Sequence, residues 1–297
     1  MEEILAHEPD DVREFLLRTS ILDRLSSGLV DAVTGRRDGA TMLRRLEQSN
    51  LFVTPLDEER RWYRYHSLFR DLLRSELTAS APDEPTELHQ RASRWFEQAA
   101  RQELSALWLL EGAIEHALAA REVQTAARLV SGAAGRLLGD NEQVTLVRWL
   151  ARLPDELVRG DPRLASGAAW AAYLTGQRQR WVEYLEAGER ALLASPPGET
   201  GADDEVRGSL TTLRAMAARD RLQFDAAIGL FREALDLFGA RPTSGMVAAH
   251  LQLGTLRLRL IKIGGWVRQR LDTVTHHLAS SHPGEPLWHL LATRPGR

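Results

Sequence analysis

The sequence predicts a mainly α protein in which a winged-helix domain with a small β-hairpin is followed by a TPR-like α-helical superhelix. Apolar residues recur at helical spacing through most of the chain. That period breaks between residues 51 and 65 into two short runs flanking the polar turn Asp57, Glu58, Glu59, Arg60. Beyond residue 87 the helical segments come in pairs with short connections, the habit of a repeat array.

Val12, Phe15 and Leu16 define a first helix from Asp10 to Thr19, with Asp10 or Asp11 expected as its cap. A second helix starts after Ser26 or Ser27 and stops at Gly35. A third, Gly39 to Ser49, carries Met42, Leu43 and Leu46 on one face and ends at Asn50. Leu51 to Leu56 and Arg61 to Tyr65 read as antiparallel strands, and Leu68, Phe69, Leu72, Leu73 and Leu77 as the stripe of a closing helix. This first domain spans 1–81, with its boundary at Ala81 to Thr86, where Pro82 and Pro85 flank acids.

Beyond that linker no convincing strand is read, and the second domain is 82–262. Its helices read as Glu87 to Ala100, Leu104 to Ala120, Thr125 to Leu138, Glu142 to Arg152, Pro162 to Leu174, Arg180 to Ala194, Glu205 to Arg219, Phe224 to Phe238 and Met246 to Ile261. Ala227, Phe231 and Ala234 have the small-large-small spacing of a tetratricopeptide second helix. Trp181, Leu185 and Gly188 echo it, but the loop Ser195 to Asp204 interrupts any constant period. Trp149, Trp170 and Trp181 are expected in the core. Residues 263–297 read as an atypical tail of the kind a truncation leaves, where His276, His277, His282 and His289 lack carboxylate partners at metal-site spacing.

Composition removes several functions. The 297 residues include no cysteine, so thiol chemistry and disulfides are excluded. Lys262 is the sole lysine and precedes Ile263, so no phosphate-cradling loop ending in Lys and Ser or Thr exists in this sequence. No apolar run approaches the roughly 18 residues that span a bilayer, and the expectation is a cytoplasmic protein. Asp10, Asp11, Asp203 and Asp204 fall at cap or loop positions, and no catalytic constellation emerges. Arg44 and Arg45 on a recognition helix, with Arg60 and Arg61 on a wing, could be read as a DNA surface. Residues 1–80 carry 15 acids against 12 arginines, which disfavours it.

Two stretches carry a resemblance. The first runs Phe15-Leu-Leu-Arg-Thr-Ser-Ile-Leu-Asp-Arg-Leu25, Asp31-Ala-Val-Thr-Gly35, Leu46-Glu-Gln-Ser-Asn-Leu-Phe-Val-Thr-Pro-Leu-Asp57 and Trp62-Tyr-Arg-Tyr-His-Ser-Leu-Phe-Arg-Asp-Leu-Leu73. The second is Ala113-Ile-Glu-His-Ala-Leu-Ala-Ala120 with Trp149-Leu-Ala-Arg-Leu-Pro-Asp-Glu-Leu157. Over roughly residues 1–240 the chain resembles MalT-like regulators, the large ATP-binding LuxR-family proteins. It departs from their pattern between Gln98 and Gly112, and again after Ile261.

The resemblance implies a signal-transduction ATPase built from a nucleotide-binding module, a winged helix, an inducer-sensing array and a LuxR-type helix-turn-helix, of which this sequence holds the middle two. It implies that His66 contacts ADP in an intact parent that binds ATP or ADP. The alternative is a histidine that bridges strand and helix through its own hydrogen bonds. The expected partners are an inducer small molecule or regulatory protein on the repeats and the parent's ATPase domain, with neither membrane nor direct nucleic acid. A free-standing TPR-like adaptor is the competing function.

Overall fold

The computed structural model describes residues 8–49, 53–103, 106–194, 200–238, 266–270 and 273–277. The chain divides into two compact units, Met1–Leu129 and Val130–Arg297.

In the first unit, α1 (Asp10–Thr19) begins after Pro9, whose carbonyl accepts from the Val12 and Arg13 amides; Asp10 and Asp11 lie in its first turn rather than at the cap. Carboxylates there still suit the positive end of the helix dipole. Helix α2 (Ser27–Thr34) is capped by the Ser26 hydroxyl and stops at Gly35, whose φ of 77° an L side chain would resist. In α3 (Gly39–Gln48) Asp38 makes no side-chain cap bond, and the Gly39 amide donates to Asp31 instead, at 2.8 Å. A β-carbon on Gly39 would fall 2.5 Å from Val30, so glycine permits this close approach.

Strands β1 (Val53–Pro55) and β2 (Tyr63–Tyr65) pair antiparallel, Val53 opposite Tyr65. Asp57 ties their turn by accepting from the Arg61 and Trp62 amides. Leu25 adds an isolated antiparallel bridge to Tyr63 through two 2.8 Å bonds, giving the hairpin a third, one-residue edge. Helix α4 (Ser67–Ser80) closes this part, burying Phe69, Leu73 and Leu77 together with Phe15, Leu16 and Leu29. Arg74 fastens it to the end of α1 by donating to the Ser20 and Ile21 carbonyls.

The expected break at Ala81 to Thr86 is shorter than the sequence implies. Helix α5 (Glu84–Gln102) already includes Pro85, because a proline in the first turn sacrifices no intrahelical bond. It packs against α6 (Leu107–Ala119) and against α2, so this helical hairpin belongs to the same compact unit as the winged helix.

Helix α7 (Val123–Gly139) runs across the division between the units. Then follow α8 (Gln143–Leu150), α9 (Asp155–Gly160), α10 (Pro162–Leu174), α11 (Arg178–Ala194), α12 (Thr200–Asp220) and α13 (Phe224–Phe238). The six-residue α9 was not expected, and Asp203 and Asp204, read as loop, lie within α12. Trp149, Trp170 and Trp181 are buried, as are Ala227, Phe231 and Ala234, which pack α13 on α12.

One turn recurs four times. Two residues past α6, α7, α10 and α12 stand Arg121, Asn141, Gly176 and Leu222, all with φ between 59° and 75°. The following amide, of Glu122, Glu142, Gln177 or Gln223, donates back to the carbonyl five residues earlier, at 2.7–2.9 Å. This is the Schellman ending, and it satisfies a carbonyl that the finished helix leaves open.

Strands β3 (Trp266–Arg270) and β4 (Thr273–His277) form a second antiparallel hairpin, correcting the expectation that no strand follows residue 82. The β-branched Val267, Thr273, Val274 and Thr275 favour extended backbone. The expected helix Met246 to Ile261, and His282 and His289, lie outside the described residues, as do the side chains of His276 and His277. Among the described residues no helix is long and apolar enough to cross a membrane.

Candidate functional site

His66 follows directly from the alternation of β2. Tyr63 and Tyr65 point inward, and Arg64 and His66 therefore face outward. Tyr65 is anchored by a 2.7 Å hydrogen bond between its hydroxyl and that of Thr19, and by an edge-on contact with Phe69. His66 is thereby held at the N-cap of α4, its backbone carbonyl accepting from the Phe69 and Arg70 amides. The imidazole makes no cap hydrogen bond and is exposed, so strand and helix are bridged by the His66 backbone and not by its ring. Leu68 beside it is 64% exposed. An outward imidazole at the positive end of a 14-residue helix can donate to an anion. Nothing else in the described surroundings resembles a complete phosphate site, since the chain has no glycine-rich loop ending in lysine.

The arginines weighed as DNA contacts are engaged inside the domain. Arg45 pairs with Asp11, Arg60 with Glu47, and Arg61 with Asp57 and Glu59, while Arg44 donates to the Ala40 carbonyl. Asp11 and Glu47 were invisible as partners in the sequence because helix packing brings them in, whereas Asp57 and Glu59 are neighbours of Arg61 in the same turn.

Two further groupings in this unit escaped the sequence reading. Trp62, Trp95 and Trp108 meet edge to face, with Trp62 to Trp108 centroids at 5.2 Å and the Arg24 guanidinium 5.6 Å from the Trp108 ring. His89 and His116 join α5 to α6, and burial pushes both imidazoles well below the usual histidine range.

The second unit holds a pocket of about 220 Å³ formed by α8, α9, α10 and the start of α11. Its walls are apolar and its mouth carries Asp155, Gln177, Arg180 and Tyr184. Tyr184 donates to Asp155 at 3.0 Å, and Arg159 bonds both Asp155 and Glu183 while its guanidinium stacks on the Tyr184 ring. The Arg159 hydrogen bond, helped by Tyr184, holds the Asp155 carboxyl below the ordinary carboxylate range. No group of three or more His, Asp or Glu suited to a metal ion occurs among the described residues.

Comparison with known proteins fits this geometry. Residues 1–85 match the MalT winged helix domain. The chain is 30% identical over 242 residues to the HTH-type transcriptional regulator MalT of Vibrio cholerae, covering 79% of this chain and 25% of that protein. It is 31% identical over 236 residues to MalT of Yersinia pestis, with 79% and 25% covered. It is also 32% identical over 217 residues to the serine/threonine-protein kinase PknK of Mycobacterium tuberculosis, with 73% and 19% covered. The chain thus spans about a fifth to a quarter of the length of these relatives. A winged helix continued by paired helices is the class of protein that the described residues define. Within that class, residues 1–85 are a MalT-type winged helix, and the chain is similar to MalT-like regulators over most of its length.

Proposed function

We propose that this chain is the signal-sensing and coupling segment of a MalT-like regulator, with a winged helix at 1–81 and a helical array at 82–262 that receives an inducer molecule or regulatory protein. One observation carries the reading. The chain aligns at similar identity with a protein named as a transcriptional regulator and with one named as a protein kinase. A segment common to two such different outputs supports an input or coupling role, with neither output residing in it. The internal pairing of Arg45, Arg60 and Arg61 supports a winged helix that meets protein rather than duplex DNA.

In this reading the segment is non-catalytic and works in the cytoplasm. His66 and the α4 N-terminus are suited to phosphate oxygens, but the remaining cradle for ADP or ATP must come from another module. Signal binding to the array changes the population of states in which the winged helix engages that module.

The purified chain is expected neither to hydrolyse ATP nor to retain a gel shift against competitor DNA. ATP turnover above background, or a shift that survives competitor, overturns the proposal. In a parent carrying the nucleotide module, His66→Ala should speed ADP release, and unchanged release removes the assigned contact.

A further inference from the structure

Helix α10 is unusually thin on one side. Ala168, Ala171 and Ala172 are all buried, and they face Val147 and Leu150 of α8 and Val158 of α9 across the pocket of about 220 Å³. Larger side chains on α10 would fill the space; alanines leave it open. An apolar cavity of about 150 Å³ is already enough to hold a benzene molecule, so this one admits an apolar body of roughly ten heavy atoms.

The mouth decides the chemistry. Two charged side chains line it, Asp155 on α9 and Arg180 on α11, and Asp155 is paired in turn with Arg159, which also reaches Glu183. Arg159 pairs with both acids, and Tyr184 adds a second bond to Asp155. Asp155 is thereby spoken for. Arg180 is exposed, and its one hydrogen bond goes to the neutral Gln177 side chain, at 3.3 Å. Among the described residues no carboxylate lies within ion-pair distance of it. A guanidinium with unused donors is a bidentate partner for a carboxylate.

We propose that this pocket binds a small monocarboxylate with an aromatic or branched aliphatic body, the body among the α10 alanines and the carboxylate on Arg180. The inference rests on the sensing role proposed above, and it names the chemical class of the signal.

The test uses the whole chain and four probes, phenylacetate and 4-methylpentanoate against their uncharged counterparts 2-phenylethanol and 4-methylpentan-1-ol, titrated by calorimetry. Each acid is expected to bind at least about fivefold more tightly than its alcohol, within the range of a charge-assisted hydrogen bond. Arg180→Gln should bring acid and alcohol to equal affinity, and Ala168→Leu should abolish binding of both by filling the cavity. Should Ala168→Leu fail to fold, hydrogen exchange supplies the location: phenylacetate is expected to slow it within residues 143–184. Acids that bind no more tightly than alcohols, no binding at 10-millimolar probe (about the weakest useful range), an unaffected Arg180→Gln variant, or protection elsewhere each overturns the proposal. These outcomes do not touch the ATP and DNA assays. Failure of the pocket leaves the coupling role standing, and failure of the coupling role leaves the binding measurement intact.

Discussion

His89 on α5 and His116 on α6 share a hydrogen bond between their Nδ1 atoms, 2.7 Å apart and part-buried. For that bond one ring must carry a proton on Nδ1 and the other must leave Nδ1 bare, so the accepting ring is neutral, and burial together with Arg74 disfavours a second proton on the donating ring. His116 also stacks on Phe96, with centroids 5.4 Å apart and planes 18° from parallel. The charged groups acting on the pair are Arg74, which opposes protonation of both rings, and Asp23, which favours that of His89. Burial is the largest influence on each, and it acts in the same direction as Arg74.

A pH dependence follows. The folded-state affinity of both rings for protons is depressed, while in the unfolded chain they titrate near the ordinary 6.5. Below that pH the unfolded state binds more protons, so stability that is complete above it is lost as pH falls. Urea unfolding between pH 7.5 and 5 should show the decline. His89→Asn can still donate toward His116 but removes one titrating ring, so the slope assignable to the pair should drop by about half. An identical slope in both proteins refutes the assignment.

The Thr19 hydroxyl donates to the Phe15 carbonyl at 2.7 Å, so its single hydrogen is used and Tyr65 must be the donor in their mutual bond. Burial raises the Tyr65 hydroxyl far above the usual tyrosine range. Tyr65→Phe leaves no donor stranded and should cost about 0.5–1.5 kcal/mol. A raised folded pKa also means that stability is lost as pH climbs past the ordinary tyrosine value of 10.0, and the Phe variant should lack that loss. Alkaline unfolding curves that coincide for the two proteins would contradict this.

Leu222 holds φ at 61° in the turn between α12 and α13 and is 74% exposed. The left-handed conformation costs an L residue about 1–2 kcal/mol, more than the 0.5–1 kcal/mol entropy penalty of glycine. Leu222→Gly should therefore raise the melting temperature, as Gly176 already serves in the equivalent turn. A lower melting temperature would mean that the leucine makes contacts worth more than its strain.

Trp149 is 1% exposed, and its indole N–H meets no acceptor among the described residues. Trp149→Phe removes that stranded donor while keeping an aromatic ring, so the gain and the lost volume offset and the net cost should stay below about 1.5 kcal/mol. Trp149→Ala should cost about 3–5 kcal/mol. Equal losses in chemical denaturation would show that the indole ring beyond the size of phenyl carries the packing.

The helices Asp10–Thr19, Pro162–Leu174 and Phe224–Phe238 were legible to the residue. Each has a long apolar stripe, and Pro162 stands at a helix start that Asp161 caps. Helix α9 was missed because six residues hold too few turns for a period to show. The start of α12 was missed because Ser195 to Asp204 is rich in residues that favour turns. The recurring turn was only partly visible. Gly176 announces it, whereas Arg121 and Leu222 hide the same backbone behind side chains that seldom adopt it.

The sequence by itself determined that this is a MalT-like winged helix with helical pairs, and that it contains no lysine loop for phosphate; local spacing and residue counts are properties of the chain alone. The tertiary structure decided which charges remain available. His66 faces outward because Tyr65 is buried against Thr19, 46 positions earlier. Arg180 keeps its donors because Arg159 reaches Asp155 and, 24 positions later, Glu183. Partners that distant are selected by packing, since only the folded backbone brings them within hydrogen-bond range.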